Sequence, residues 1–517
     1  MRAPRRTDPM RPGRDRRARR LDAVPGAPRC TGGRPPTTAV VGGGIAGLAA
    51  ATALAERGTR VTLYEREPTL GGRLAGWPTV LSDGTTVTMS RGFHAFFRQY
   101  YNLRGLLRRT DPGLTRMRGL PDYPLRHVDG LDDSFRHVPR TPPWSALGFV
   151  ALSPAFGLRD LFRINPVAAL PLLDVRVPEV HTRLDDVSAR DFLDAIRFPE
   201  AAQHLAFEVF SRSFFADPRE LSAAEMVLMF HIYFLGSAEG LLFDVPVEPF
   251  PTALWDPLAD YLRGHGADLR AGTPVEMIEP TPDGGFLVAA GQEEQRHDTV
   301  VLALDTVGLR SLVGRSPRLA DAAWRERVAT LRGAPPFLVS RLWLDRPVAA
   351  DRPGFLGTSG YGTLDNVSVL DRWEGEAARW AARAGGSVVE LHAYALPDRS
   401  PHDVEQKHLL EQLHRVYPET REATVLDERH EWRADCPLFP VGEYDSRPTV
   451  RTSDPGLVVA GDLVRTGLPV ALMERAATSG FLAANALLER WGVGGQTLWT
   501  VPDRGRGPLL RRLARLG

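Results

Sequence analysis

The chain has 517 residues, 43% hydrophobic and 25% charged, with a formal net charge of +1. That length calls for about two to four folding units, and the composition is that of a globular protein, which excludes fibrous and wholly disordered classes. The near-neutral balance supplies no whole-chain field for nucleic acid, and two cysteines, Cys30 and Cys436, exclude a disulfide framework and a cysteine-held metal centre.

In chain order, residues 1–36 are rich in Arg, Pro and Gly and predict a disordered basic extension. The pair Arg16-Arg17 is followed by Ala18-Arg19-Arg20, not by the apolar stretch of an export signal. No 18 apolar residues run uninterrupted, so no membrane span is expected. The first ordered element is an apolar strand at 38–41, followed by the glycine run Gly42-Gly43-Gly44-Ile45-Ala46-Gly47. An Ala- and Leu-rich helix is predicted from 45 to 57, stopped by Gly58. A strand at 60–64 then ends on Glu65, which completes a parallel β-α-β unit.

Residues 105–250 change character. Their apolar stretches (144–158, 161–173 and 225–245) are broken by prolines and predict a largely helical insertion. A helix follows at 252–264, closed by glycine. Strands are expected at 274–278, 298–304, 337–344, 388–394 and 423–432, with a helix at 404–416. A last strand at 457–460 leads into Gly461-Asp462, and a long helix runs from about 470 to 490. Nucleotide-binding pieces therefore stand at the start, middle and end of the chain. They predict a discontinuous cofactor unit (37–104, 252–335 and 440–492) interleaved with a substrate unit (105–251 and 336–439). Residues 493–517 close the chain as a basic amphipathic tail, centred on 509–516, which is readable equally as a membrane-surface helix and as a frayed terminus.

Gly42, Gly44 and Gly47 fit G-x-G-x-x-G. The first glycine permits a tight turn, the second lets the backbone approach a pyrophosphate, and the third lets helix and strand pack closely. The free amides at the start of the helix, with about half a positive charge of helix dipole, then hold the phosphates. Glu65 is placed to accept ribose hydroxyls and would repel a 2′-phosphate, which argues against NADP despite Arg66. Gly71-Gly72-Arg73 adds a second close approach and a forked cation for phosphate. With these motifs the sequence resembles the amine oxidase/carotenoid desaturase superfamily of flavoproteins. The resemblance implies an α/β fold in which a Rossmann-type FAD-binding domain is interleaved with a mixed α+β substrate domain, as in amine oxidases and phytoene desaturases. It implies FAD as the cofactor, with Asp462 near the ribityl or phosphate region and the helix after it, from Met473, aimed at the flavin. Val275 is carried over as the strand residue at the adenine end, where it is equally readable as core.

Amine oxidation, porphyrinogen oxidation and carotenoid desaturation remain open on these motifs. The resembling amine oxidases commonly hold a water on lysine. Lys407 is the only lysine, and it stands in the charged stretch Glu405-Gln406-Lys407-His408, which reads as a solvated face. The segment Ser90-Arg91-Gly92-Phe93-His94-Ala95-Phe96-Phe97 resembles the Gly-x-His-x-Phe-Phe segment of carotene desaturases. Together with Met473-Glu474-Arg475-Ala476-Ala477-Thr478-Ser479-Gly480-Phe481, it resembles most closely the actinobacterial β-carotene desaturase/methyltransferase (isorenieratene synthase) branch. Arg475 stands where generic desaturases tend to have Gly.

That resemblance implies a membrane-dissolved carotenoid substrate, a quinone as a plausible electron acceptor, and a cytoplasmic protein peripheral to the inner face of the cell membrane. It also implies aromatisation of β-ionone rings: hydride leaves to FAD, a geminal methyl shifts to the neighbouring carbon of the ring cation, and protons are lost. His94 and Glu474 are the residues expected to handle protons, and Arg91 and Arg475 to order Glu474 or the flavin edge. The alternatives are an acyclic carotene desaturase, a flavin amine oxidase, and a carotenoid-binding flavoprotein without turnover. No metal is expected in any of them.

Overall fold

A computed structural model describes residues 13–30, 33–154, 156, 163–199 and 215–506. Its first sheet grows from the β-α-β unit. The strands Thr37–Val41 and Arg60–Tyr64 are apolar and buried, and they pair in parallel. Asp268–Arg270 adds beside Arg60–Tyr64, and Thr299–Leu302 and Leu457–Val459 add on the other side, all in parallel register. The five-stranded sheet therefore draws on segments more than 400 residues apart, as the interleaved motifs require. The helix Ile45–Glu56 is buried on nearly every side. A helix that is apolar all round must be covered on both faces, and here the sheet lies on one side and the helix Leu472–Arg490 on the other. Gly480 makes that contact possible, because a Cβ there would lie 2.2 Å from the Ala46 carbonyl oxygen.

The second sheet has seven strands in the order Val425–Arg433, Phe337–Leu344, Ser387–Ala393, Asn366–Val369, Phe355–Ser359, Pro124–His127 and Asp132–Ser134. Its pairs are antiparallel except Phe355–Ser359 with Pro124–His127. A three-stranded meander, Val275–Pro280, Phe286–Ala290 and Glu293–His297, precedes the Thr299–Leu302 strand.

Two expectations need correction. The stretch 105–250 is not simply helical. It contains the helices Trp144–Leu152, Pro166–Leu173, Glu179–Leu184, Ala189–Ile196 and Ala223–Phe230, but also the strands Met117–Gly119, Pro124–His127, Asp132–Ser134 and Phe243–Pro246. Such strands are too short to show a period of two, and they are ordered by partners elsewhere in the chain.

The amino-terminal extension is docked over its described residues. Arg19–Leu21 pairs antiparallel with Leu498–Thr500. Asp15 is buried, accepts hydrogen bonds from the Arg17 and Ala238 amides, and is paired with Arg506, 491 residues away. An arginine-rich segment without periodicity carries no local signal, so only its distant partners reveal its order. The basic segment 509–516 lies outside the described residues.

Candidate functional site

The glycine turn shows why each glycine is there. Gly42 has φ +110°, and a Cβ on it would stand 2.2 Å from the Ala303 carbonyl oxygen. A Cβ on Gly47 would stand 1.9 Å from the Gly42 carbonyl oxygen, which makes it the close-packing glycine of the helix. Gly44 differs: the nearest atom to a Cβ there is Gly72 Cα at 3.8 Å, so its open side forms a cradle. The second glycine pair lies against the first, with the Gly71 amide donating to the Gly43 carbonyl at 2.9 Å. Glu65 turns back on the turn and accepts from the Gly43 amide at 2.6 Å and from the Glu67 amide at 2.9 Å. Burial raises its pKa, and those two amides pull it down.

A cavity of about 460 Å³ opens from this cradle. All the expected cofactor residues line it except Gly43 and Gly47, which stand behind the turn. At one end are Glu65, Arg66, Val275 and Arg315; in the middle are Gly44, Gly72, Arg73, Gly461, Asp462 and Met473. Arg73 is held by Asp462 at 2.6 Å, and that carboxylate keeps the guanidinium charged in spite of burial. The backbone at Leu472 enters the left-handed region, φ 52°, and begins the Leu472–Arg490 helix at the cavity wall. Open glycine backbone, two helix starts, a forked cation and a ribose-accepting carboxylate fit a flavin dinucleotide.

Beyond the cradle the walls become aromatic. Phe93 stacks on Phe355 at 4.3 Å between ring centroids, Phe97 meets Tyr233 at 4.6 Å, and Phe215 meets Tyr394 at 4.6 Å, with Phe135 and Phe337 also in the wall. His94 and Arg91 line this part. The Gly92 carbonyl faces His94 Nδ1 at 2.9 Å; a carbonyl only accepts, so Nδ1 carries the proton and Nε2 keeps a lone pair. Burial pushes the His94 pKa down to about 4, so the ring is neutral at neutral pH. Arg91 pairs with Asp435.

The expected proton handler Glu474 and the arginine expected to order it, Arg475, are elsewhere. Glu474 does not line the cavity: its carboxylate accepts from the Asn102 and Leu103 amides at 2.8 and 2.9 Å, capping the Tyr101–Leu107 helix. Burial pushes its pKa up to about 8, against the pull of the same amides. Arg475 does not order Glu474. It bonds Glu225 at 2.7 Å and the Asp462 and Val470 carbonyls at 3.2 and 3.0 Å. Successive side chains on a helix point to different faces, so Glu474 and Arg475 diverge. His231 is fully buried with Nε2 on the Pro502 carbonyl at 2.7 Å, a core residue. Lys407 is exposed on the helix His402–Val416.

A polar row absent from the sequence reading stands in the same wall. The strand Ser387–Ala393 carries Glu390 and His392 on one face, with Tyr394 just after it on the same side. Arg341 bonds Glu390 at 2.7 Å, Glu390 bonds His392 Nε2 at 2.8 Å, and His392 Nδ1 meets the Tyr394 hydroxyl at 2.7 Å. Asn366 donates to the same hydroxyl at 3.1 Å. His392, Tyr394 and Asn366 line the cavity, and Glu390 is fully buried. Burial opposes ionisation of Glu390, but Arg341 and His392 outweigh it and hold its pKa down to about 2. Gly92 seats this row: it has φ +92°, and a Cβ there would meet His392 Cε1 at 2.3 Å. The alternation Glu-Leu-His-Ala-Tyr at 390–394 was the available signal, polar on one face of a strand and apolar on the other.

Comparison with known proteins adds relatives to this geometry. The family model of flavin containing amine oxidoreductases matches residues 45–488. The chain is 72% identical over 506 residues to a carotenoid phi-ring synthase from Streptomyces griseus, with 98% of each chain covered. It is 28% identical over 593 residues to a carotenoid phi-ring synthase from Chlorobaculum tepidum, with 91% of each covered. Among solved structures, cyclohexylamine oxidase from Brevibacterium oxydans matches with a TM-score of 0.64 at 15% identity, covering 88% of this chain and 99% of that one. That last likeness speaks for the fold alone.

Proposed function

The chain belongs to the flavin-containing amine oxidoreductase family as an FAD-dependent oxidoreductase, and on that premise we propose that it desaturates the end rings of a carotenoid. The observation that carries this reading is the 72% identity, across 98% of both chains, to a carotenoid phi-ring synthase. The cavity is consistent with it, because an aromatic chamber continues directly from the glycine cradle. The finer reading is aromatisation of the β-ionone rings of β-carotene with a 1,2-methyl shift.

The helix start at Ile45, Gly44, Arg73, Glu65 and Asp462 hold the cofactor in this reading. Bound FAD supplies a two-electron acceptor for hydride. The chain's own residues do the rest. The walls at Phe93, Phe97, Phe215 and Phe355 exclude water from the ring and present aromatic faces to an electron-deficient carbon. A methyl migrates only toward such a carbon, so water exclusion and methyl migration belong together. His94 presents a neutral lone pair in the wall.

The substrate must be reached from a lipid phase. No described helix is long and apolar enough to cross a membrane. The helix Trp144–Leu152 exposes Trp144, Leu147 and Leu152, the helix Pro166–Leu173 exposes Val167, and we assign these exposed apolar residues to a membrane surface. A quinone in the same phase would suit re-oxidation of the cofactor.

The test is pigment analysis in cells that make β-carotene, and separately in cells that make phytoene, after expression of the chain. Aromatic-ring products from β-carotene are expected. Conversion of phytoene with β-carotene left untouched would overturn the ring reading.

A further inference from the structure

We propose that Tyr394 is the proton exit of the reaction, a catalytic residue in the cavity wall backed by His392 and Glu390 as positioning residues. The inference rests on the ring-desaturation reading. Every hydride removed from a ring carbon leaves a cation that must lose a proton, so a dry chamber needs a group that takes the proton and a place to put its charge.

The hydrogen-bond row supplies both. A carboxylate only accepts, so the 2.8 Å contact with Glu390 places a proton on His392 Nε2. In the neutral imidazole Nδ1 is then an acceptor, and the Tyr394 hydroxyl donates to it at 2.7 Å. Asn366 donates to the Tyr394 oxygen at 3.1 Å, which leaves a lone pair on that oxygen in the wall. The step balances. The ring C–H bond breaks, its electron pair becomes a C=C bond, and the proton goes to Tyr394 Oη. The hydroxyl proton of Tyr394 passes to His392 Nδ1. The ring loses its positive charge and His392 becomes imidazolium beside the Glu390 carboxylate, so no further oxidant is consumed.

His94 is the competing acceptor, and its surroundings are poorer. Its one hydrogen bond among the described residues is to a backbone carbonyl, and burial holds its pKa down to about 4. His392 instead has a fully buried carboxylate in contact, itself fixed by Arg341 at 2.7 Å. The seating of the row explains the Gly92-Phe93-His94 segment as well. Gly92 leaves room for His392, and the Phe93 amide donates to Glu390 at 2.8 Å.

The experiment uses purified, FAD-loaded enzyme with β-carotene in liposomes, following flavin bleaching without oxygen and aromatic product separately. Tyr394→Phe is expected to bind FAD and bleach it with substrate, while product turnover falls by about 100-fold or more at unchanged KM. His392→Gln keeps an acceptor for the hydroxyl but cannot take up its proton, and is expected to show the same split. The double variant should lose little more than either single one, because the residues act as one chain. Turnover close to wild type in Tyr394→Phe, or bleaching and product falling together, overturns the proposal while the ring reading stands. Wild-type enzyme that leaves β-carotene unchanged and bleaches with phytoene overturns the ring reading and this proposal with it. If Tyr394→Phe fails to load FAD, His392→Gln decides on the same two readouts.

Discussion

Gly44 and Gly47 stand three residues apart and answer different physical demands. Gly47 faces backbone at 1.9 Å, so an added methyl has no room and the helix must move off the strand. Gly44 faces the cradle with only Gly72 Cα near it, at 3.8 Å. Gly47→Ala is therefore expected to lower the melting temperature of the flavin-free protein, by about 1–3 kcal/mol of overpacking strain. Gly44→Val should leave that temperature nearly unchanged and abolish flavin retention, read from the visible absorbance of the purified protein. Equal loss of stability in both variants would show that the cradle is not where the cofactor's phosphates approach. At the same scale, His94 and His392 show why a residue's chemistry is not its type alone. One is isolated on a carbonyl, and the other is backed by a buried charge.

Between elements, Glu225 is the cross-link to watch. It lies on the helix Ala223–Phe230 and bonds Arg475 of the helix Leu472–Arg490 at 2.7 Å, with Arg447 on its other oxygen. All three side chains are buried. Burial alone would raise the carboxyl pKa, but Arg475 and Arg447 outweigh it and hold Glu225 far below the usual carboxylate range. Removing that one charge leaves two buried guanidinium groups unmatched, so Glu225→Gln is expected to cost about 3–5 kcal/mol in urea unfolding. The pH sign follows from the depressed pKa. The contribution is complete above the ordinary carboxyl value of 4.5 and is lost as pH falls through the folded pKa. The wild type should therefore lose more stability than Glu225→Gln on acidification below that value. The same contact explains the helix-start sequence Met473-Glu474-Arg475. Glu474 caps the Tyr101–Leu107 helix and Arg475 reaches Glu225, so neighbouring charges serve separate elements.

For the whole molecule, the proposed function would join the exposed apolar residues and the aromatic chamber in one problem, moving an insoluble substrate into a dry site. Trp144 is 63% exposed, Leu147 50% and Leu152 57%, on one short helix, and Val167 is 58% exposed on another. A membrane-facing role predicts that the protein co-sediments with phosphatidylcholine vesicles, and that a Trp144→Ser/Leu147→Ser/Leu152→Ser variant stays in the supernatant with its FAD and fold intact. Binding that survives the triple change would place the membrane contact elsewhere. The amino-terminal strand Arg19–Leu21 belongs to this scale as well, since among the described residues it pairs with Leu498–Thr500, near the other end of the sequence.

The glycine run, Glu65, Gly71-Gly72-Arg73 and Gly461-Asp462 were legible in the sequence because their chemistry is local. A turn needs glycine at fixed offsets, a phosphate needs free amides and a forked cation, and neither requirement depends on distant residues. The long apolar strands and the helices bounded by glycine were legible for the same reason. What only the tertiary structure decided is what touches what. The sequence places Glu474 and His94 in two motifs of equal standing, but the fold turns one toward a neighbouring helix and the other toward the cavity. It places Glu390, His392 and Tyr394 in an ordinary strand, and pairing across the sheet with Phe337–Leu344 brings Arg341 against them. The amino-terminal residues read as disorder because their order comes from partners near the other end of the chain. Local rules write each candidate cofactor motif into a short run of residues, whereas burial and long-range pairing decide which acids and bases face the cavity, and those exist only once the chain has closed on itself.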